Sequence, residues 1–180
     1  MMRITLLVLA AMPWLALAAD ESPYAGQETR AIKSLSADDI EALKSGEGMG
    51  FAKVAELNHF PGPRHVLDLA DVLELTPQQI VATEAIFQEM HRNAMSLGEA
   101  LLAAESKLET EFEQKSIDSE ALESALLEIE AIRAQLRFVH LAAHLDQERL
   151  LTVDQVSKYD AIRGYRASRP GHDSHSHDRH

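Results

Sequence analysis

The chain has 180 residues, with 17 Lys or Arg against 29 Asp or Glu, a net charge of −12 at pH 7. So acidic a protein repels phosphate backbones, which sets nucleic-acid binding aside, and it suits encounters with cations or with basic, unfolded polypeptides. There is no cysteine, so disulfides and thiol-borne lipids are excluded and stability must come from packing. Aromatic residues make up only 5%, and Ala, Leu, Glu, Ile and Gln dominate the second half, a composition that favours helices.

Residues 1–19 have the layout of a secretory signal peptide: one early positive charge at Arg3, an apolar run from Ile4 to Leu17, and small residues at Ala16 and Ala18. The apolar run is shorter than the about 20 residues that span a bilayer. Cleavage after Ala16-Leu17-Ala18 would give an exported, periplasmic chain with no membrane insertion; a retained anchor is the alternative. About 160 residues then remain, enough for one domain. Residues 20–35, with Pro23 and Gly26, read as an extended arm. Ser36 is an N-cap with Asp38 and Asp39 in the first turn, and the short helix that follows stops at Gly46. Phe51, Val54, Ala55 and Leu57 predict a second short helix, ended by Pro61-Gly62-Pro63. Val66, Leu67, Leu69, Ala70 and Leu73 predict a third.

From Pro77 to about Gln114 the apolar residues keep a three-four rhythm without proline, with Thr76 as N-cap and Pro77 as the first helical residue. Ser116 or Asp118 caps a second long helix ending near Arg149, and a final helix closes at Gly164 or Pro170. The prediction is an all-α fold: a long antiparallel hairpin with short N-terminal helices, a C-terminal helix, and residues 36–166 forming one domain. The second long helix is apolar on two sides. Leu122, Ala125, Ile129, Ile132, Leu136, Val139 and Ala143 form one stripe; Leu127, Ala131, Ala134, Phe138, Leu141 and Leu145 form another about half a turn away. One stripe packs on the first long helix. The other needs the N-terminal helices, a second copy or a client.

"LTPQQ" and "LTVDQ" repeat one pattern, Leu75-Thr76-x-x-Gln79 and Leu151-Thr152-x-x-Gln155. Locally each is a capping box, in which Thr caps the helix and Gln reaches back to the cap. An exported, cysteine-free helical chain with one LTxxQ opening each of two helices resembles the Spy/CpxP family of periplasmic chaperones and stress-response adaptors, and the related heavy-metal sensor and resistance proteins of the CnrX/ZraP type. The resemblance covers roughly residues 74–165, and the stretch "GMGFAKVAELNHFPGPRHVLDLADVLELTPQQ" is similar to the N-terminal part of such proteins. It implies a hooked hairpin, a homodimer, and ATP-independent holding of unfolded periplasmic proteins or contact with a membrane-bound signalling partner. It also implies, for the metal-sensing branch, binding of Zn, Ni, Co or Cu. Two departures stand out. The acidic balance differs from the basic client surface of the typical chaperone, and only His59 and His65 stand where the metal-sensing branch has a pair of N-terminal histidines.

His140 and His144 are four residues apart on one helix face, so both imidazoles can reach one cation. Helical phase puts them on the flank of the first stripe, beside the core and not in it. If the hairpin turns between Ser116 and Ile117, His91 lies midway opposite the pair and Glu89 opposite His144, giving three imidazoles and a carboxylate, a set suited to Zn, Ni or Co. Ordinary solvated histidines are the alternative. The tail "RPGHDSHSHDRH" holds His172, His175, His177 and His180 among residues that cannot pack a core, and such tracts capture Zn, Cu or Ni through neutral imidazoles or serve only solubility. Met90 and Met95 straddle the His layer but are at core spacings. Gly98 marks a bend or a close approach. The position after His140 is Leu141, not the Glu of the zinc-protease helix, and with no nucleophile motif or phosphate loop the chain reads as a non-enzyme needing no cofactor.

Overall fold

The computed structural model describes residues 22–165. The predicted signal peptide and the His-rich tail lie outside the described residues. Six helices follow in order: α1 (Ala37–Lys44), α2 (Lys53–Glu56), α3 (Pro63–Asp68), α4 (Pro77–Glu113), α5 (Ser119–Leu150) and α6 (Val153–Arg163). The described residues contain no strand, and α4 and α5 pair along their length as an antiparallel hairpin. At 1.5 Å per residue the 37-residue α4 is roughly 55 Å long.

The helix ends follow from local chemistry. Ser36, Thr76 and Thr152 each cap through a side-chain oxygen and close a capping box with the residue three on. Asp118, one of two predicted caps, accepts from the Ala121 N–H and starts α5. Gly164, in the left-handed region at φ 77°, ends α6. The predicted second and third helices are shorter than the spacing suggested. α2 is a single turn and leaves Val54 and Leu57 exposed, while α3 gives way to turns before Leu75. Backbone twists with positive φ at Met49, His59 and Glu74 interrupt the helical phase.

The arm is also corrected. Residues 22–35 are a chain of turns, not an extended segment, and they dock Ile32 and Leu35 into the core at 7% exposure each. Lys33 fixes the arm to α4, pairing with Glu109 at 2.6 Å and Glu113 at 2.8 Å. Ser34 Oγ donates to Glu105, whose carboxylate also pairs with Arg133 of α5.

Two apolar clusters hold the fold. The first joins Ile32, Leu35, Leu43, Ala94, Leu101, Ile129 and Leu136, toward the hairpin tip; the second joins Val66, Leu73 and Tyr159 with Leu75 and Leu151, at its base. Between them the core turns polar, with His140, His144, Gln147 and Thr83 all buried. Gln147 Nε2 donates to Thr83 Oγ1 at 3.2 Å.

Candidate functional site

The two LTxxQ motifs form their capping boxes and then do something the local pattern cannot express: they bind each other. Gln79 Nε2 donates to Gln155 Oε1 at 2.8 Å, and Gln155 Nε2 donates to Gln79 Oε1 at 3.1 Å. Each amide also reaches a backbone carbonyl across the junction, Gln79 to Leu150 at 3.0 Å and Gln155 to Leu73 at 3.3 Å. The repeat is therefore a reciprocal clasp that ties the start of α4 to the α5–α6 corner, with Leu75 and Leu151 packed against the base cluster beside it. Its role is architectural.

The His layer lies above that clasp. His91, His140 and His144 line one cavity of about 460 Å³ between the hairpin and the N-terminal segment, together with Met90, Glu47 and His65. His140 and His144 are buried, at 3% and 9% exposure, and do not flank the core as helical phase on α5 alone suggests. The cause is the N-terminal segment, which crosses α5 here. Phe51 stacks on His140 with ring centroids 5.9 Å apart, and Gly62 passes so close that a Cβ there would meet the His144 ring at 2.9 Å. Phe87 stacks similarly on His91.

The histidines are held differently. His144 Nδ1 lies 2.8 Å from the Phe60 carbonyl oxygen; a carbonyl only accepts, so Nδ1 carries a proton. His140 Nε2 is buried without a hydrogen-bond partner. Burial, followed by the neighbouring His144 and His91, pushes the His140 pKa down from 6.5 to about 4. Glu89, expected in this layer, is turned away from it. It bonds Arg92 at 2.7 Å and Asn93 at 2.9 Å and lines the opposite groove with Phe138 and Asp146. The carboxylate that does approach is Glu56 of α2, whose Oε2 is 3.7 Å from His144 Nδ1. The spacing rule could not find it, because α2 enters from outside the hairpin. Among the described residues no group of three or more His, Asp or Glu is gathered closely enough to hold a metal ion.

The depressed His140 pKa has a consequence for stability. The unfolded ring takes its proton near pH 6.5 and the buried ring only near 4. The stability that the neutral ring contributes is therefore fully present above 6.5 and drains as pH falls toward 4. Denaturant midpoints should show a loss of about 2 kcal/mol between pH 7 and pH 5 that His140→Phe removes. Equal pH slopes for the chain and the variant would contradict this reading of the ring.

Glu56 belongs to a wider network. Its Oε1 accepts from the Tyr159 hydroxyl, from the Tyr165 hydroxyl at 3.1 Å, and faces Arg163 Nε at 3.5 Å. Burial, and then the Glu56 carboxylate, raise the Tyr159 pKa, so the phenol stays a donor. Asp160 adds a polar contact, its carboxylate 2.8 Å from His59 Nδ1. His59 is thereby committed to α6 and His65 lies at the cavity rim.

The second stripe of α5 is the opposite case. Leu127 is 67% exposed and Phe138 70%, Leu145 is 44% exposed, and Ala131 and Ala134 are exposed beside them. Leu141 is half-buried. Helices α4, α2 and α3 contact α5, yet Leu127, Phe138 and Leu145 stay exposed among the described residues. The stripe runs about 27 Å along the helix. A groove of about 370 Å³, floored by Ile86, Met90, Val139 and Ala143, opens beside Phe138.

No family model, curated protein or solved structure matches this chain.

Proposed function

We propose that the chain is an ATP-independent chaperone or envelope-stress adaptor of the Spy/CpxP type, exported to the periplasm, that holds unfolded polypeptides on the outer stripe of α5. One observation carries the reading: an apolar stripe from Leu127 to Leu145, with Leu127, Phe138 and Leu145 exposed and only alanines and the half-buried Leu141 between them, on a helix whose opposite stripe buries Ile129, Leu136 and Ala143. Monomers rarely leave such a patch open unless something binds it. The paired LTxxQ motifs support the same family, and the clasp they form keeps the hairpin base rigid while the stripe remains available. No described helix is long and apolar enough to cross a membrane.

Light scattering of a denatured client tests it. The chain at near-stoichiometric ratio should suppress aggregation, and Leu127→Ser/Phe138→Ser should lose most of that suppression while melting like the parent, since both side chains face solvent. Undiminished suppression by the double variant, or none by the parent at excess, would overturn the reading.

A second reading is favoured by the convergence of His91, His140 and His144 on one cavity: a heavy-metal sensor or buffer for Zn, Ni, Co or Cu. The orientation of His144 supports it, because a ring whose Nδ1–H is held by a carbonyl can present Nε2 as a ligand. His144 would supply one donor, and His140 and His91, with Met90 for a soft metal, would have to close on it to complete the set; Glu89 would not. Calorimetric titration of Zn²⁺ and Ni²⁺ separates fold from tail. Binding that persists when His172, His175, His177 and His180 are replaced by Ala, and disappears when His140→Ala/His144→Ala is added, is the expected result. Binding that vanishes with the tail histidines alone would remove the cavity from consideration.

A further inference from the structure

The chaperone reading above leaves the client undefined, and the surroundings of the stripe define it. On α5, Glu123 and Glu120 stand four and seven residues before Leu127, Glu130 stands three after it, and Glu128 stands three before Ala131, all on neighbouring helix positions. All four carboxylates are exposed. Glu130 is shared with Arg133 at 3.5 Å; Glu120, Glu123 and Glu128 have no ion pair among the described residues. Toward the base the setting is mixed, with Arg137 beside Phe138 and with Arg149 held by Asp146 at 2.9 Å. The stripe is therefore an apolar line with an acidic border along its half nearest the hairpin tip.

Resting on that reading, we infer that the stripe selects extended, unfolded segments in which Lys or Arg alternates with large apolar residues, and rejects apolar segments that carry Asp or Glu. The apolar side chains of such a segment cover Leu127 and Phe138, while its cations meet Glu120, Glu123 and Glu128. An acidic segment of equal hydrophobicity brings like charges onto that border, which opposes association and slows encounter. A second copy of the chain fits less well. Along this face it offers Arg137 and Arg149, the latter already engaged by Asp146, against the four carboxylates of its partner, and it brings a further net charge of −12.

The test uses the purified chain and three fluorescein-labelled peptides of equal length: one alternating Leu/Phe with Lys, one with Glu for every Lys, and one with Lys kept but Ser for every Leu and Phe. Anisotropy titrations should give the first peptide about tenfold tighter binding than the second, a preference that shrinks as salt is raised. Glu123→Gln/Glu128→Gln should narrow the gap, and Leu127→Ser/Phe138→Ser should remove binding of both. Equal, salt-independent binding of the first two peptides that still needs Phe138 would overturn the charge selection and leave the chaperone face standing. No binding of either, or binding of the first that survives the double Ser variant, would overturn both. Equal binding of the first and third peptides would reduce the effect to ion exchange and overturn the inference. A concentration-dependent dimer that Phe138→Ser dissolves and the first peptide does not compete with would assign the stripe to a second copy instead.

Discussion

Gly98→Ala should lower the thermal midpoint, although alanine is the better helix former. In an exposed helix the change favours folding by about 1 kcal/mol. Here a Cβ at position 98 would lie 2.1 Å from the Leu43 carbonyl oxygen and 2.8 Å from its carbon. Those are backbone atoms at the end of α1, so no side-chain rotation relieves the clash. Helix α1 must move away from α4, and Leu43, at 3% exposure, moves with it, loosening its contacts with Ala94 and Leu101 in the tip cluster. Overpacking of this kind costs about 1–3 kcal/mol and more where backbone is involved, so it outweighs the propensity gain. The midpoint should fall by roughly 2–6 °C in a domain of this size. A midpoint that is unchanged or raised would mean that α1 does not seat on Gly98. Mid-helix, this glycine leaves a bend and a close approach open; the packing decides for close approach.

The second large effect centres on Glu56. Replacing it with Ala should destabilise the domain by about 3 kcal/mol, because the Tyr159 hydroxyl and Arg163 would be left without the carboxylate they share. Tyr159 is 1% exposed, so water cannot replace the lost acceptor. Glu56→Gln retains an acceptor oxygen and should cost less than half as much. Urea unfolding of both variants reads the difference. Native-state hydrogen exchange should show α6 opening before α4 in Glu56→Ala, since this network is what fastens α6 to the N-terminal segment. Uniform loss of protection, or equal loss in the two variants, would count against Glu56 as the fastening point.

The hairpin is the part of the fold that its own residues announce. Thr76-Pro77 starts α4, Asp118 starts α5 and Gly164 stops α6, each through chemistry confined to a few neighbouring residues, and the apolar rhythm between them survives because it faces a long antiparallel neighbour. The two stripes of α5 are equally legible, since 100° per residue fixes them without reference to anything else. What escaped is what depends on packing across elements. The short N-terminal helices obey turns at Met49, His59 and Glu74 that leave no trace in hydropathy. Because that segment crosses α5 at Gly48 and Gly62, His140 and His144 are buried rather than flanking, and Glu56 rather than Glu89 comes up to them. Glu89 fails for a physical reason: its carboxylate is held by Arg92 and Asn93 and lines the groove with Phe138 and Asp146. The glutamines of the two LTxxQ motifs read as caps in isolation, and only their meeting shows why both carry the same residue.

Site-specific photocrosslinking tests most directly whether polypeptide is held on the α5 stripe, as proposed above. A benzophenone amino acid at position 138, on the stripe, is compared with one at Val81 on α4, which is nearly as exposed at 66%. Each protein is irradiated with a denatured client. Crosslinks that form strongly from 138 and only weakly from 81 are the predicted result. Equal yields from both positions, or a yield from 81 alone, would contradict it.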